Sequence, residues 1–235
     1  MILAILQARM SSTRLPGKVL KPILGRPMLC WQIDRIRRSR TIERLVVATS
    51  QETSDDPIQA FCDANQVFCY RGALHDVLGR FHGAAQMFGP AEHVIRLTGD
   101  CPLIDWTIID AAVDLQRRAK SDLAGNGIER TYPDGLDVEV VAFSALERAH
   151  REATDASARE HVTHYIYRHP ETFRLAHLTQ EPDLGALRWT VDTPADFEMV
   201  EKVFKGLAKR NNNFIQQDVL DFLEGHPEIV AINAP

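Results

Sequence analysis

Several common features are missing from this sequence, and each absence narrows the class of protein. No apolar run approaches the length of a membrane span. No signal peptide is evident either, because residues 1–6 are too short for its apolar segment and charged residues follow them. The net charge of −5 argues against a general nucleic-acid binder, which is usually basic. We therefore expect a protein that binds neither a membrane nor nucleic acid.

Cysteine is scarce, and its spacing indicates no metal site. No CxxC pair and no metal-ligand spacing occurs among the four cysteines, which are Cys30, Cys62, Cys69 and Cys101. Reduced thiols are the simple interpretation, and they predict a cytoplasmic location.

The two familiar glycine-rich phosphate motifs are absent as well. GxxxxGK[ST] does not occur, and no GxGxxG follows the first predicted strand. These absences exclude a Walker loop and the dinucleotide fingerprint. A phosphate site in this chain must be built differently.

Acidic residues are missing from the N-terminal stretch, where no Asp or Glu precedes Asp34. The same stretch contains five cations, namely Arg9, Arg14, Lys18, Lys21 and Arg26. Residues 8–18 follow an apolar run, residues 1–6, that reads as a buried strand. A loop after a first strand can turn several backbone N–H groups toward one anion, and fixed cations strengthen such a nest. A solvated basic turn is the alternative, but the position is the ligand edge of an open α/β sheet.

The remaining pattern alternates strands with helices, which predicts a mostly parallel sheet in an α/β fold. Strands are predicted at residues 1–6, 45–49, 67–70, 93–98, 136–143, 173–178 and 188–191. Helices are predicted to begin at Pro27 and after caps at Ser54, at Asp105 and at either Thr193 or Asp192. Further helices are predicted to cover residues 76–88, 144–153, 158–168 and 214–223. We expect one domain over residues 1–235, with a small excursion near residues 126–180 that covers substrate or contacts a partner subunit.

Two carboxylates stand directly after predicted strands. Asp100 follows residues 93–98, and Asp192 follows residues 188–191. The carboxyl ends of parallel strands share one sheet edge, so the two side chains are expected to converge and hold Mg²⁺ together with phosphate oxygens. Helix capping is the alternative role, and it is strong for Asp192 because a helix follows directly.

Other polar residues are less specific. Asp134, Asp137 and Glu139 could hold sugar hydroxyls, or simply occupy a turn and a strand. His161 and His164 have HxxH spacing, but packing or subunit contact explains them better than a metal does.

Three segments resemble one known family when taken together. They are Ala8-Arg9-x-x-Ser12-x-Arg14-Leu15-Pro16-Gly17-Lys18, residues 96–104 (RLTGDCPLI) and residues 191–197 (VDTPADF). They are similar to the signatures of the cytidylyltransferases that activate acidic sugars, the CMP-Kdo and CMP-sialic acid synthetases. Residues 133–140 (PDGLDVEV) are most similar to the branch of spore-coat polysaccharide biosynthesis protein F. Cys101 stands where the Kdo enzymes usually have an acidic residue, and residues 72–79 do not match their Ser-Gly-Thr segment.

The resemblance implies a Rossmann-like nucleotidyltransferase, a homodimer, that transfers CMP from CTP to a sugar hydroxyl and releases pyrophosphate. Lys18, Arg14 and Asp100 would be catalytic, and Asp100 and Asp192 would bind Mg²⁺. The nucleotide would be held by residues that include Ala8, Arg9, Ser12, Arg14, Lys18, Arg71 and Arg80. Asp134, Asp137 and Glu139 would contact the sugar. Two alternatives stay open, namely a nucleotidyltransferase that uses another triphosphate or a sugar-1-phosphate, and a non-catalytic nucleotide-binding protein.

Overall fold

A twisted seven-stranded sheet forms the centre of the computed structural model, which describes residues 1–209 and 211–234. Its strand order is β5-β4-β1-β6-β8-β7-β9. The strands are β1 (Ile2–Gln7), β4 (Arg44–Ser50), β5 (Phe68–Gly72), β6 (His93–Thr98), β7 (Leu123–Gly125), β8 (Glu139–Ala142) and β9 (Leu175–His177). A separate two-residue hairpin pairs β2 (Pro22–Ile23) with β3 (Arg26–Pro27).

The sheet is mostly parallel, as predicted. β1 lies between β4 and β6 and is parallel to both, and β5 extends this set beside β4. β8 pairs antiparallel with β6 and with β7, while β9 is parallel to β7. Parallel neighbours need crossover connections, so helices cover both faces.

Ten α-helices are described, several of them short. The longer ones are α1 (Met28–Ile36), α2 (Asp56–Ala64), α3 (Val77–Phe88), α4 (Trp106–Ala119), α5 (Phe143–Glu152), α8 (Pro194–Leu207) and α9 (Gln216–Glu224). The short ones are α6 (Ala156–Glu160), α7 (His164–Tyr167) and α10 (Pro227–Val230). None of the helices in the described part of the chain combines the length and the apolar character that crossing a bilayer requires.

Successive side chains of β1 point to opposite faces of the sheet, and the core therefore has two layers. Ile2, Ala4 and Leu6 pack on the face that also buries side chains of α1, α4 and α8. Leu3 and Ile5 pack on the opposite face, against apolar side chains of α3 and α5. All five side chains are buried, which explains why β1 reads as a continuous apolar run.

The predicted strand at residues 188–191 is wrong. This segment is extended, but its one bridge within the part of the chain that the structure describes joins Arg188 and Asp134. Its backbone N–H groups are used elsewhere: Trp189 donates to the Asp134 carbonyl and Val191 to the Asp100 carbonyl. Trp189 and Val191 are apolar and buried, which produced the strand-like pattern, although Thr190 between them is buried as well.

Two helix predictions also need correction. Residues 158–168 form two short helices, because the backbone leaves helical geometry at His161. The turn between them lets the Thr163 hydroxyl donate to Glu139 of β8, at 2.9 Å. Ser54 does not cap α2, because it lies inside a preceding 3₁₀ turn, Thr53–Asp55. The predicted cap at Asp105 is confirmed, since it accepts a hydrogen bond from the first turn of α4. Of the two candidates for α8, Thr193 is the cap, and it accepts a bond from the Asp196 N–H.

The excursion predicted near residues 126–180 includes elements that depart from the parallel pattern. It contains the antiparallel strand β8 and the helices α5 to α7. Its strands nevertheless pair within the main sheet, β8 beside β6 and β9 beside β7. The segment between α6 and α7 lies at the carboxyl end of the parallel strands, and so reaches the site described below.

Candidate active site

The loop after β1 is a folded turn. The Met10 carbonyl accepts hydrogen bonds from the backbone N–H groups of Ser12 and Gly17, both at 2.9 Å. Gly17 adopts φ +70°, a left-handed conformation that favours glycine, and a Cβ there would lie 3.3 Å from the Met10 side chain. This closed turn carries Lys18 back toward the end of β1.

Asp55 anchors the same loop to β4. Its buried carboxylate accepts from the Met10 N–H at 2.7 Å, from the Ser50 N–H at 3.0 Å and from the Thr49 hydroxyl at 3.0 Å. Burial alone would raise the pKa of Asp55, but these bonds and the one from the Ser50 hydroxyl hold its pKa below the ordinary value. The carboxylate therefore stays ionised and secures the loop position.

Lys18 joins the two predicted strand-end carboxylates. Its Nζ donates to Asp100 Oδ2 at 3.3 Å, to Asp192 Oδ1 at 3.0 Å and to the Val191 carbonyl at 2.6 Å. The side chain is only 9% exposed. Asp100 and Asp192 converge as predicted, although Asp192 arrives through the Val191–Asp100 backbone bond and not through a sheet strand.

The two carboxylates, Asp100 and Asp192, differ in the number of ion pairs that they form. Asp192 Oδ2 also forms ion pairs with Arg14 at 2.9 Å and with Arg188 at 2.8 Å. Burial would raise the pKa of Asp192, but the bonds from Lys18 and Arg188 lower it. Asp100 has only Lys18 and a long contact from the Cys101 thiol at 3.5 Å among the described residues. Asp100 thus retains acceptor capacity toward the solvent.

Gly99 allows the ends of β1 and β6 to lie close together. A Cβ at Gly99 would lie 2.9 Å from the Gln7 carbonyl and 3.2 Å from the Ala8 side chain. The Gly99 N–H donates to the same Gln7 carbonyl at 2.7 Å. A side chain at this position would therefore separate the ends of β1 and β6, and with them the loop and Asp100.

The carboxylates fit a hard divalent cation only in combination with a substrate. Within residues 1–209 and 211–234, no group of three or more His, Cys, Asp or Glu side chains is placed to hold a metal ion. Two carboxylates are nevertheless sufficient when phosphate oxygens and waters complete the shell of Mg²⁺. The free acceptor capacity of Asp100 fits that chemistry, so metal and nucleotide are expected to bind together.

Two clefts meet at these residues. The first cleft has a volume of about 670 Å³ and lies between three walls: Ala8–Lys18 loop residues, residues 74–77 and the segment around α6. The second cleft, of about 610 Å³, extends toward β8. Five residues line both clefts, namely Arg96, Thr98, Asp100, His161 and Asp192. The shared residues make the two clefts one continuous site.

Most of the predicted site residues line these clefts. Ala8, Arg9, Ser12, Arg14 and Lys18 line the first cleft. The predicted sugar-binding residues, Asp134, Asp137 and Glu139, line the second. The structure thus brings the basic loop and the acidic residues to opposite sides of Asp100.

Arg71 and Arg80 are not brought into either cleft. The Arg71 guanidinium donates to the Ser50 and Glu52 carbonyls, each at 2.8 Å, and to Asp56 at 2.6 Å. Arg80 is buried behind residues 74–77 and donates to the Ala73 carbonyl at 2.8 Å. Burial lowers the pKa of Arg80 to about 10. Both arginines bond to backbone carbonyls of loops near the site. These bonds and the one to Asp56 use all the guanidinium nitrogens of Arg71, whereas Nε and Nη2 of Arg80 are buried with no partner among the described residues.

Sequence reasoning missed two supports of the site. Asp76 caps α3 and pairs with Arg159 at 2.5 Å, so it joins two walls of the first cleft. Its position before an apolar helix was a usable capping signal. Asp196 was noticed only as part of a motif, yet Thr193 three residues earlier forms a capping box with it.

Asp196 holds the Asp192 turn in place. Its Oδ2 accepts from the backbone N–H groups of Asp192 at 3.0 Å and Thr193 at 2.8 Å, and its Oδ1 accepts from Arg188 and Asn233. Burial would raise the pKa of Asp196, but the bonds from Asn233 and Arg188 and from the backbone lower it strongly. The ionised carboxylate is therefore a structural part of the site.

This lowered pKa predicts acid sensitivity. The stabilisation is complete above the pKa of an unfolded Asp, about 4, and is lost as the pH falls through the lower folded pKa. Asp196→Asn is expected to reduce the free energy of unfolding by about 2 kcal/mol at pH 7 and to flatten its decline below pH 4. Denaturant titrations between pH 7 and 3 measure both effects. Asp221→Asn on α9 is the control, and an Asp196 variant that matches it would contradict the assignment.

The fold and the site together define an α/β nucleotidyltransferase. The family model described as cytidylyltransferase matches residues 3–222. The chain therefore belongs to the cytidylyltransferase family, which confirms the resemblance seen in its motifs.

Three similar proteins illustrate the relationship. Spore coat polysaccharide biosynthesis protein SpsF of Bacillus subtilis is 35% identical over 89% of this chain and 88% of its own length. A cytidylyltransferase from Leptospira borgpetersenii superposes with a TM-score of 0.91 at 31% identity, over 97% of this chain and 96% of that one. The CMP:2-keto-3-deoxy-manno-octonic acid synthetase complexed with CTP shares the fold, with a TM-score of 0.64 at 17% identity over 87% of this chain and 98% of that one.

Proposed function

We propose that this protein transfers CMP from CTP to a hydroxyl group of a sugar and releases pyrophosphate, in the synthesis of a surface polysaccharide or glycan precursor. The observation that carries the proposal is the meeting of Lys18, Asp100 and Asp192 at the junction of the two clefts. The basic loop suits a triphosphate on one side, and the hydroxyl-binding carboxylates suit a sugar on the other. The family supports CTP as the nucleotide.

Arg9, Ser12, Arg14 and Lys18 would hold the phosphates, with Ala8 at the end of β1 as backbone support. Arg14 is 62% exposed, so it can turn from Asp192 toward a bound triphosphate. Lys18 and Arg14 would offset negative charge on the α-phosphate and on the departing pyrophosphate. Asp100 and Asp192 would hold the divalent cation, which we expect to be Mg²⁺.

The reaction needs positioning more than covalent chemistry. The sugar hydroxyl oxygen forms a bond to the α-phosphorus while the bond from that phosphorus to the bridging oxygen breaks. Pyrophosphate leaves with the electron pair, and the hydroxyl proton passes to water. When bound, the metal would supply charge stabilisation and a lower pKa for the attacking hydroxyl.

Asp134, Asp137 and Glu139 would orient the sugar. Asp134 and Asp137 are both partly exposed in the second cleft, while Glu139 is bonded to Arg96 and Thr163. Arg71 and Arg80 are proposed to act indirectly, through the loops that they brace. A homodimer and a cytoplasmic location are further proposals, which size-exclusion chromatography and fractionation of cells would test.

The nucleotide preference is the most direct test. With Mg²⁺ present, CTP at about 100 times its Kd should add about 2.7 kcal/mol to the free energy of unfolding, and raise Tm by about 5–10 °C. ATP, GTP and UTP at the same concentration should raise Tm much less. Thermal denaturation measures this series. A clear preference for another triphosphate would remove the cytidylyl assignment, and the absence of pyrophosphate release with any acceptor would favour a binding protein.

A further inference from the structure

Arg188 is anchored by the backbone on both of its sides. The Asp134 N–H donates to the Leu187 carbonyl at 2.9 Å, and the Trp189 N–H donates to the Asp134 carbonyl at 2.6 Å. The Arg188 carbonyl itself accepts a hydrogen bond from the Asn233 side chain at 3.0 Å. Trp189 is buried, so movement of this segment would disturb the core. The Arg188 side chain therefore extends from a fixed point of the chain.

The guanidinium group of Arg188 bonds to three carboxylates with its three nitrogens. Nη1 donates to Asp134 Oδ2 at 3.2 Å, Nη2 to Asp192 Oδ2 at 2.8 Å and Nε to Asp196 Oδ1 at 3.3 Å. A guanidinium group is planar and its donors have fixed directions, so these three bonds determine its orientation. Oδ2 of Asp192 is thereby held in one position.

The two oxygens of the Asp192 carboxylate have different partners. Oδ2 pairs with Arg14 at 2.9 Å and Arg188 at 2.8 Å, whereas Oδ1 pairs with Lys18 at 3.0 Å. Arg14 and Lys18 belong to the loop that we propose to bind phosphate, so a triphosphate would compete with Asp192 for both. Arg188 lies outside that loop, and its other two carboxylates retain it. It is thus the cation that would stay on Oδ2 and leave Oδ1 toward the metal.

The segment after α10 supports the same arrangement. Asn233 Nδ2 donates to the Arg188 carbonyl and to Asp196 Oδ1, each at 3.0 Å. Ile229 of α10 is buried and anchors this segment on the core. Asn233 lies beyond residues 3–222, the range that the family model matches. The support of Arg188 therefore includes a side chain that the family match does not cover.

We propose that Arg188 is a positioning residue, which holds Oδ2 of Asp192 so that Oδ1 faces the divalent cation, and that Asn233 keeps Arg188 in place. The inference rests on the proposed function, because it takes Asp192 as a metal ligand. In this role Arg188 acts through Asp192 and needs no contact with the metal or the reacting groups. Carboxylates that bind a metal are commonly hydrogen-bonded by such outer residues, and loss of one typically costs about 10–100-fold in metal affinity or activity.

The increase in CTP affinity that Mg²⁺ provides tests the position of Asp192 without turnover. CTP is titrated into the full chain by calorimetry, once with Mg²⁺ and once with EDTA, and the ratio of the two dissociation constants is the metal gain. Arg188→Lys keeps the positive charge, but an ammonium group cannot hold three carboxylates in fixed directions. We expect its metal gain to be at least about tenfold smaller than that of the unchanged protein, with the affinity in EDTA changed less than about twofold.

A purely structural role of Arg188 gives a different result. Arg188→Lys would then lower the free energy of unfolding in a denaturant titration but leave the metal gain unchanged, which would overturn the proposal. If Arg188 positions Asp192, excess Mg²⁺ restores the CTP affinity of the variant, because the metal site is weakened and not removed. Arg148→Lys on α5, whose ion pair with Glu152 is exposed, is the matched control and should retain the full gain.

Asn233→Ala tests the contribution of the segment after α10. Its metal gain should fall about threefold, because Arg188 and Asp196 keep their other bonds. Asn65→Ala, which removes an exposed bond to the Phe61 carbonyl, should leave the gain unchanged. An unchanged gain in Asn233→Ala would remove that residue from the proposal.

The unchanged protein separates failure of this inference from failure of the proposed function. If it does not bind CTP, or binds CTP without a metal gain, the proposed function or its metal assignment fails, and this inference fails with it. If it shows the gain and Arg188→Lys shows the same gain, only this inference is refuted.

Discussion

Asp100→Asn is expected to lower turnover of CTP by about a thousandfold, or about 4 kcal/mol of transition-state stabilisation, while the protein stays folded. The carboxylate is 30% exposed and, within the described residues, forms one ion pair, with Lys18 at 3.3 Å. Its replacement by an isosteric amide therefore removes few native contacts. What it removes is the negative charge that a divalent cation needs, so the loss should fall on Mg²⁺-dependent chemistry. Steady-state release of pyrophosphate measures the effect.

Asp192→Asn gives an informative comparison. Turnover should fall to a similar extent, but the protein should also lose stability, because Arg14, Lys18 and Arg188 all pair with this carboxylate. Circular dichroism and denaturant titration on both variants separate the two consequences. Near-normal turnover in either folded variant would remove that residue from the metal assignment, and Asp192 would then revert to a structural role beside Asp196.

Lys18→Met is expected to reduce turnover at least about a hundredfold and to lower the free energy of unfolding by about 1–3 kcal/mol. The variant should lose stability as well as activity, because Lys18 is buried and bonded to three acceptors. The variant leaves the Val191 carbonyl without its donor and two carboxylates without their cation.

The same variant should respond to metal alone. Without the ammonium group between them, Asp100 and Asp192 repel, so Mg²⁺ should raise the Tm of Lys18→Met more than that of the unchanged protein. Lys205→Met on the exposed face of α8 serves as the control. Equal metal responses in the two proteins would contradict the view that Lys18 occupies the position between the carboxylates.

The sequence by itself determined the class of fold and the position of the loop that we propose to bind phosphate. Alternating apolar segments and helices predicted a mostly parallel sheet, because each parallel crossover needs a covering helix. The excess of cations before Asp34 marked the loop, since a local charge imbalance is visible in a linear sequence. The same reasoning identified Asp100 at a strand end, where β6 indeed stops at Thr98.

Only the tertiary structure decided how the distant residues meet. Asp192 reaches Asp100 through a backbone bond of an extended segment outside the sheet, and no periodicity in the sequence encodes such a contact. The tertiary structure likewise decides whether an Arg or Lys side chain is already bonded to other groups of the protein. Arg71 and Arg80 resemble nucleotide ligands in the sequence, yet backbone carbonyls bind them, while Lys18 became buried because two carboxylates and a carbonyl surround it. Hydrogen-bond partners are contributed by segments far apart in the chain, so only folding reveals which polar side chains remain available for a substrate.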